Sequence, residues 1–540
     1  MSVAGLDFAR PSIGLTVGRA AEQGENSPLS RRDMLRRAGA LAITVPSLAS
    51  VLEACSEGHE QAGVLRVGAI SPATAVDPVT GFDGSVIGLF QQVNEYLVWL
   101  EPDLTLTPQL ATSWQPERDG SRWVISLRDG VTFSDGTPLE AETVVSSFRR
   151  VLDPSVGSAA IAAFNSILEA DGVTAADPRT VVFDLLRGYG DLPYLISAGT
   201  YNAVILKTDY SGDWTTNAVG TGPFRLESYS PTEGARFVRN DSYWDRDRLH
   251  LDRVEVKFYR DEQSELIALQ SGEVDTVLTS RVNVLRPIEA DDALAVNTVP
   301  GTAVTVFTMR VDQSPFDVKE VRQAVAVALD RVAINTTLAD GSGQFGNDHL
   351  VAPAFPVAPT DVEQRHMDRA EVRRLLDAAG LAELSFTLSF EPLARDYAVL
   401  LQEQLASAGI TATLDEQTSE AFYAGDPAET PWLNSIATLV DWVSRPTPTQ
   451  FVVPMVRSGG IWNGSKYANP ELDAAADGYD AATDDETRRR HARAIAQILH
   501  VDVPIVITWW QPSVRPYGAS WRGITAHPAA FLDLRRAERS

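Results

Sequence analysis

Few residues in this 540-residue chain have the type and spacing for covalent or metal chemistry. The seven histidines (His59, His250, His349, His366, His491, His500 and His527) form no H-x-x-x-H or H-E-x-x-H pair, the spacings that set two imidazoles on one metal. His491 and His500 stand nine apart near a predicted helix end and read as surface residues. A single cysteine excludes a disulfide framework and any multi-cysteine metal or iron–sulfur centre. No G-x-S-x-G elbow and no Walker loop occurs. Gly341-Ser342-Gly343-Gln344-Phe345-Gly346 satisfies G-x-G-x-x-G, but it follows a helical pattern and runs into Asn347-Asp348-His349 instead of opening a helix. It therefore lacks the strand–turn–helix context of a dinucleotide site and reads as a loop. The expectation is no catalytic residue, no metal ligand and no cofactor: a protein that recognises and does not react.

The elements that must position such recognition begin with an export address. Ser30-Arg31-Arg32-Asp33-Met34-Leu35-Arg36 is basic, and Ala38 to Leu52 is uncharged, moderately apolar and interrupted by Pro46. A spanning helix needs about 20 apolar residues, so this stretch suits a signal-peptide h-region, and the paired arginines before it read as a twin-arginine signal. Met34 stands where Phe is usual. Leu52-Glu53-Ala54-Cys55 then resembles a bacterial lipobox whose cysteine is acylated, with Glu53 as its departure from the pattern. Residues 1–54 are expected to be removed and 55–63 to be a polar tether; the alternative is a buried helix with an ordinary core cysteine. With 72 acidic against 46 basic side chains the net charge is −26, which argues against nucleic acid as a partner. At 44% hydrophobic and 22% charged residues, the remainder reads as an acidic globular protein.

Strand and helix patterns alternate through the body, which favours packed α/β domains. Val64 to Gly68 and Arg122 to Leu127 read as strands. Thr137-Pro138-Leu139-Glu140 predicts a helix start running to Leu152, with Val144, Val145, Phe148 and Val151 on its apolar face. Further helices are predicted over Val318 to Leu338 and Arg369 to Ala379, the latter ended by Gly380. Leu393 to Ala408, Gly409 and Ile410 to Leu414 read as helix, cap and strand, and Thr487 to Leu499 with Pro504 to Trp509 as helix and strand.

Six collinear motifs then carry a resemblance. Thr107-Pro108-Gln109-Leu110-Ala111-Thr112-Ser113-Trp114, Leu127 to Pro138 (LRDGVTFSDGTP), Gly220-Thr221-Gly222-Pro223-Phe224, Arg239 to Trp244 (RNDSYW), Pro315-Phe316 with Val321-Arg322-Gln323-Ala324, and Asn469-Pro470-Glu471-Leu472-Asp473 resemble motifs of solute-binding family 5, the peptide and nickel receptors of ABC importers. Most of these residues read as scaffold, and Trp114, Trp123 and Trp244 as core or interdomain aromatics. The resemblance implies a periplasmic-binding-protein-like α/β fold of cluster C type: two lobes, a two-segment hinge and an extra subdomain inserted in lobe I. Lobe I would comprise 64–95, 206–300 and 508–540, the inserted subdomain 96–205, and lobe II 304–505. Val299 to Val306 and Val506 to Gln511 would cross between the lobes.

In the peptide-binding relatives an aspartate in W-x-x-D-[YW] holds the ligand's α-ammonium. The matching stretch here, Thr438-Leu439-Val440-Asp441-Trp442, keeps Asp441 and the following aromatic, while Thr438 replaces the Trp. The bland reading of Asp441 is a turn cap before Pro446 and Pro448. Tyr423, Trp432, Trp442 and Trp462 are candidate cleft residues; Arg395 and Arg445 are candidates for a ligand carboxylate, each otherwise a solvated surface arginine. The reading is an exported, lipid-anchored, monomeric receptor on the outer face of the cytoplasmic membrane. It takes a short peptide between its lobes and hands it to an ABC permease with cytoplasmic ATPases. The alternatives are an oligosaccharide or metal chelate as ligand, or a secreted hydrolase.

Overall fold

Val64–Ile70 (β1) alternates as a strand with one buried face should, and Leu65, Val67 and Ala69 are fully buried. Arg66, between them, is held by Asp275 through Nε (2.9 Å) and Nη2 (2.7 Å). The structure, a computed structural model, describes residues 63–278 and 286–540. The leader, Cys55 and the tether up to residue 62 lie outside the described residues. Among the described residues, no helix is long and apolar enough to cross a membrane.

β1 pairs in parallel with Arg253–Tyr259 and with Thr276–Val277, the parallel core of one α/β half. Leu294–Met309 (β2) is 16 residues long and changes partner along its length. Leu384–Phe390 (β3), the helix Arg395–Ser407 and Ile410–Glu416 form a β–α–β unit, and β3 also runs parallel to Ala437–Trp442 (β4). Trp509–Gly518 (β5) pairs antiparallel with β2 from Leu294↔Gly518 to Ala303↔Gln511; from Val304↔Trp442 to Met309↔Ala437, β2 pairs with β4 instead. One sheet of twelve described strands thus joins two α/β halves through β2 and β5. The β2–β5 register is irregular between Val299 and Ala303. Gly301 sits there because a Cβ would lie 2.2 Å from the Gln511 carbonyl oxygen, so any other residue would push the strands apart.

The segment between the first strands of that sheet builds its own core. Ala111–Glu117, Arg122–Leu127, Thr180–Asp184 and Val173–Asp177 form an antiparallel sheet in that order. The helix Ala141–Leu152 buries Val144, Val145, Phe148 and Val151 against it, as the pattern predicts, with Phe148 edge-on to Phe164 (5.9 Å) and Phe183 (5.0 Å). The predicted start at Thr137 is corrected. Phe133 N donates to Thr137 O and Leu139 N to Val131 O, so the Asp135-Gly136 turn folds 137–139 back as a hairpin and the helix begins only at Ala141. The single helix predicted over Val318 to Leu338 is two, Lys319–Val327 and Arg331–Ala339, because the Asp330 carboxylate caps Val332 N and Ala333 N. Gly343 to Gly346 is also more than a loop, since Gln344–Phe345 pairs with the start of β5.

Two paired helices, Pro470–Ala481 (α1) and Asp485–Asp502 (α2), lie against this four-stranded subdomain. Arg488 on α2 is paired with Asp191, which is 1% exposed, and stacks on Tyr479 and Tyr194; Arg187 reaches Asp480 at 3.1 Å. Burial lowers the Arg488 guanidinium to about 10 and raises the Asp480 carboxyl. Deeper in the other half, the fully buried Glu95 accepts from Tyr243 (3.0 Å), Trp244 (3.0 Å) and Gln109 (3.2 Å), so the Tyr243-Trp244 pair serves to tie a buried carboxyl. Desolvation pushes that carboxyl up to about 7.

Candidate functional site

The exposed end of β4 meets β2 and β5 where β2 changes partner. Asp441, exposed, faces Thr305 of β2 across the ladder; Thr305 Oγ1 donates to Asp441 Oδ1, and Gln511 Nε2 of β5 donates to Thr305 Oγ1 at 3.3 Å. A carboxylate is therefore oriented by a hydroxyl and an amide from the two strands that join the halves. Three residues beyond, Thr302 Oγ1 donates to Arg445 O (2.8 Å) and accepts from Arg445 N (3.1 Å), which clamps the chain leaving β4 onto the irregular part of β2.

Arg445 is partly buried near Tyr201, and desolvation lowers its guanidinium below the ordinary value. Among the described residues no carboxylate of the chain pairs with it. Pro446 packs close to Gly199, so the segment after β4 meets the chain that follows the four-stranded sheet here.

Four aromatic rings run alongside. Centroids are 5.7 Å apart for Tyr423–Trp432, 6.4 Å for Trp432–Trp442 and 5.6 Å for Trp442–Trp462, all tilted or edge-on. All four are partly exposed, Trp462 to 37%. Two short helices, Ser419–Tyr423 and Pro431–Asn434, carry the first two rings over the sheet. Glu391, directly after β3 and 6% exposed, accepts from Tyr423 Oη (3.0 Å) and Ser419 Oγ (2.6 Å). Burial and the negative charges of Glu391 and Asp441 push the Tyr423 phenol far above its ordinary value, so it stays a donor.

The structure thus gathers Asp441, Trp442, Tyr423, Trp432 and Trp462 into one region, with Arg445 four residues beyond Asp441. It does not bring Thr438 or Arg395 to that surface. Thr438 is 2% exposed, held between Thr308 of β2 and Ser389 of β3; Arg395, more than half exposed, is tied to Glu416 at 2.5 Å. Residue type gave no signal for Thr305, Gln511, Thr302 or Glu391, whose parts follow from register alone. The assembled groups can take a cation at Asp441, an anion at Arg445 and flat or apolar groups along the rings.

Residues 105–464 match the family described as bacterial extracellular solute-binding proteins, family 5 middle. The chain is 24% identical over 512 residues to the dipeptide-binding protein DppE of Bacillus subtilis (strain 168), covering 88% of this chain and 92% of that one. It is 24% identical over 477 residues to heme-binding protein A of Haemophilus influenzae, covering 82% and 86%. Among solved structures it resembles the periplasmic murein tripeptide binding protein MppA in its unliganded open form, with a TM-score of 0.79 at 20% identity over 89% of this chain and 98% of that one. The architecture is the two-lobed α/β periplasmic-binding fold.

Proposed function

The chain belongs to the bacterial extracellular solute-binding proteins of family 5, and on that premise we propose that it captures short peptides between two lobes and passes them unchanged to an ABC permease. The observation that carries this reading is the oriented carboxylate of Asp441, fixed by Thr305 and Gln511 at the junction of β2 and β5. A peptide's α-ammonium enclosed there finds a charged, hydrogen-bonding partner, without which a buried ammonium costs several kcal/mol. Arg445 supplies the opposite charge for a carboxylate, and main-chain hydrogen bonds along the strand ends hold the extended ligand.

Lobe I is assigned to 64–95, 206–300 and 508–540, with 96–205 as its inserted subdomain, and lobe II to 304–505; Val299 to Val306 of β2 and Val506 to Gln511, which runs into β5, are assigned as the hinge. Closure is a population shift. A ligand drives it only through its greater affinity for the closed form, and moving the balance from 1:99 to 99:1 takes about 5.5 kcal/mol. The export leader and Cys55 support delivery across the membrane and anchoring on its outer face as a lipoprotein. Replacing Cys55 by Ser should release the protein into the medium or the soluble fraction, and retention in the membrane would remove the anchor from the reading.

Calorimetry of the purified protein against short peptides and a panel of oligosaccharides and metal chelates tests the ligand. Heat from peptides alone is expected, and heat from the second panel alone overturns the peptide assignment. Turnover of ester, peptide or glycoside substrates that survives repurification would overturn the receptor itself.

A further inference from the structure

Ring placement at this site is unusual for the molecule. Of its eleven tryptophans, Trp99, Trp123, Trp214, Trp509, Trp510 and Trp521 are at most 6% exposed, and Trp462 is the most exposed of all. The residues beside the row are apolar and open as well: Val443, after Trp442, is 67% exposed and Ile461, before Trp462, is 73% exposed. Large apolar groups left in water at the chain neighbours of ring-lining residues mark a contact surface, since single scattered exposures need no explanation but a group of them does.

The spacing identifies what fits. An extended peptide advances about 3.3 Å per residue and puts alternate side chains on one face, roughly 6.6 Å apart. Successive rings here stand 5.6 to 6.4 Å apart. One face of an extended peptide therefore meets one ring per alternate side chain. The charge beside the row is negative. Asp441 and Glu391 both lie by Tyr423, whose hydroxyl donates to Glu391. An acidic ligand side chain placed over the rings meets the like charge of these two carboxylates.

Resting on the peptide reading above, we propose that the row Tyr423–Trp432–Trp442–Trp462 selects the ligand class: peptides carrying aromatic or large aliphatic side chains at alternate positions, starting with the residue whose α-ammonium meets Asp441, and not acidic ones.

The test is calorimetry with four tripeptides of free termini: Phe-Ala-Phe, Ala-Phe-Ala, Ala-Ala-Ala and Glu-Ala-Glu. Phe-Ala-Phe is expected to bind at least tenfold more tightly than Ala-Ala-Ala, Ala-Phe-Ala to gain less, and Glu-Ala-Glu to bind more weakly than Ala-Ala-Ala. In Trp462→Ala, and separately in Ile461→Ser, the ratio of Phe-Ala-Phe to Ala-Ala-Ala affinities should fall. In Glu391→Gln, which keeps the Tyr423 hydrogen bond, the penalty on Glu-Ala-Glu should shrink. Binding of all four tripeptides within threefold, or an unchanged ratio in both row variants, overturns this selectivity and leaves the peptide reading intact. Silence from all four overturns both.

Discussion

Asp441→Asn is the substitution with the sharpest expected effect. In the structure the Asp441 carboxylate accepts from Thr305 Oγ1, which in turn accepts from Gln511, and the side chain is exposed at the end of β4. Asparagine keeps the shape and the accepting Oδ1, so Thr305 retains its partner and the unliganded fold should change by less than about 0.5 kcal/mol, as at other exposed positions. What is lost is the negative charge facing a ligand ammonium. In an enclosed site, removing one member of such a pair costs roughly 2–5 kcal/mol, and at about 1.4 kcal/mol per decade that is about 30-fold to several thousand-fold in Kd. Calorimetry with a free tripeptide and its N-acetylated form separates this from a general loss of packing. Acetylation should weaken binding to the wild-type protein by a similar factor and to Asp441→Asn by much less, since the partner charge is already gone. A Kd within threefold of wild type in Asp441→Asn, or equal binding of the acetylated and free peptides to wild type, would refute the role given to this carboxylate.

Other substitutions test the rest of the molecule. Arg445→Met should erase the preference for a peptide acid over its C-terminal amide, which in wild type should be at least tenfold by calorimetry. Arg488→Met leaves Asp191 buried without its partner and should cost about 3–5 kcal/mol in guanidinium unfolding, while the double change Asp191→Asn with Arg488→Met should cost clearly less. Glu95 titrates at about 7 in the fold and near the model-peptide value of about 4.3 when unfolded. In that interval the folded state holds the proton that the unfolded state has lost, so Glu95 makes stability fall as pH rises from about 4.3 to 7. Glu95→Gln should remove that part of the slope, by urea midpoints from pH 4.5 to 7.5; an identical slope in both proteins would contradict the raised carboxyl.

Local structure was readable where one residue decides it. Gly409 has φ +81° and separates the helix Arg395–Ser407 from Ile410–Glu416 where the pattern put the break. Reading failed where a side chain or a hairpin competes with helix propensity, as at Asp330, which caps and so divides a continuous pattern, and at Asp135-Gly136, which pulls Thr137 into a turn. Val503 ends α2 in the left-handed region at φ +48°, where a β-branched residue gives no warning. The site divides in the same way. Asp441 and Trp442 were legible as candidates by motif and Tyr423, Trp432 and Trp462 by residue type, though Tyr423 and Trp462 are nearly forty residues apart and only the fold sets these rings side by side. Thr305 and Gln511 were not, because a threonine and a glutamine in strands acquire a role only from which residue the register sets opposite them.

The exchange of partners along β2 has a consequence for how the molecule can be taken apart. A single backbone serves as a rung in both halves, with residues 294–303 hydrogen-bonded into one and 304–309 into the other. Neither half owns a finished sheet. Severing the chain near Gly301 would yield two fragments, each with a bare strand edge seeking its missing neighbour, so they should recombine into a working whole when mixed and aggregate when kept alone.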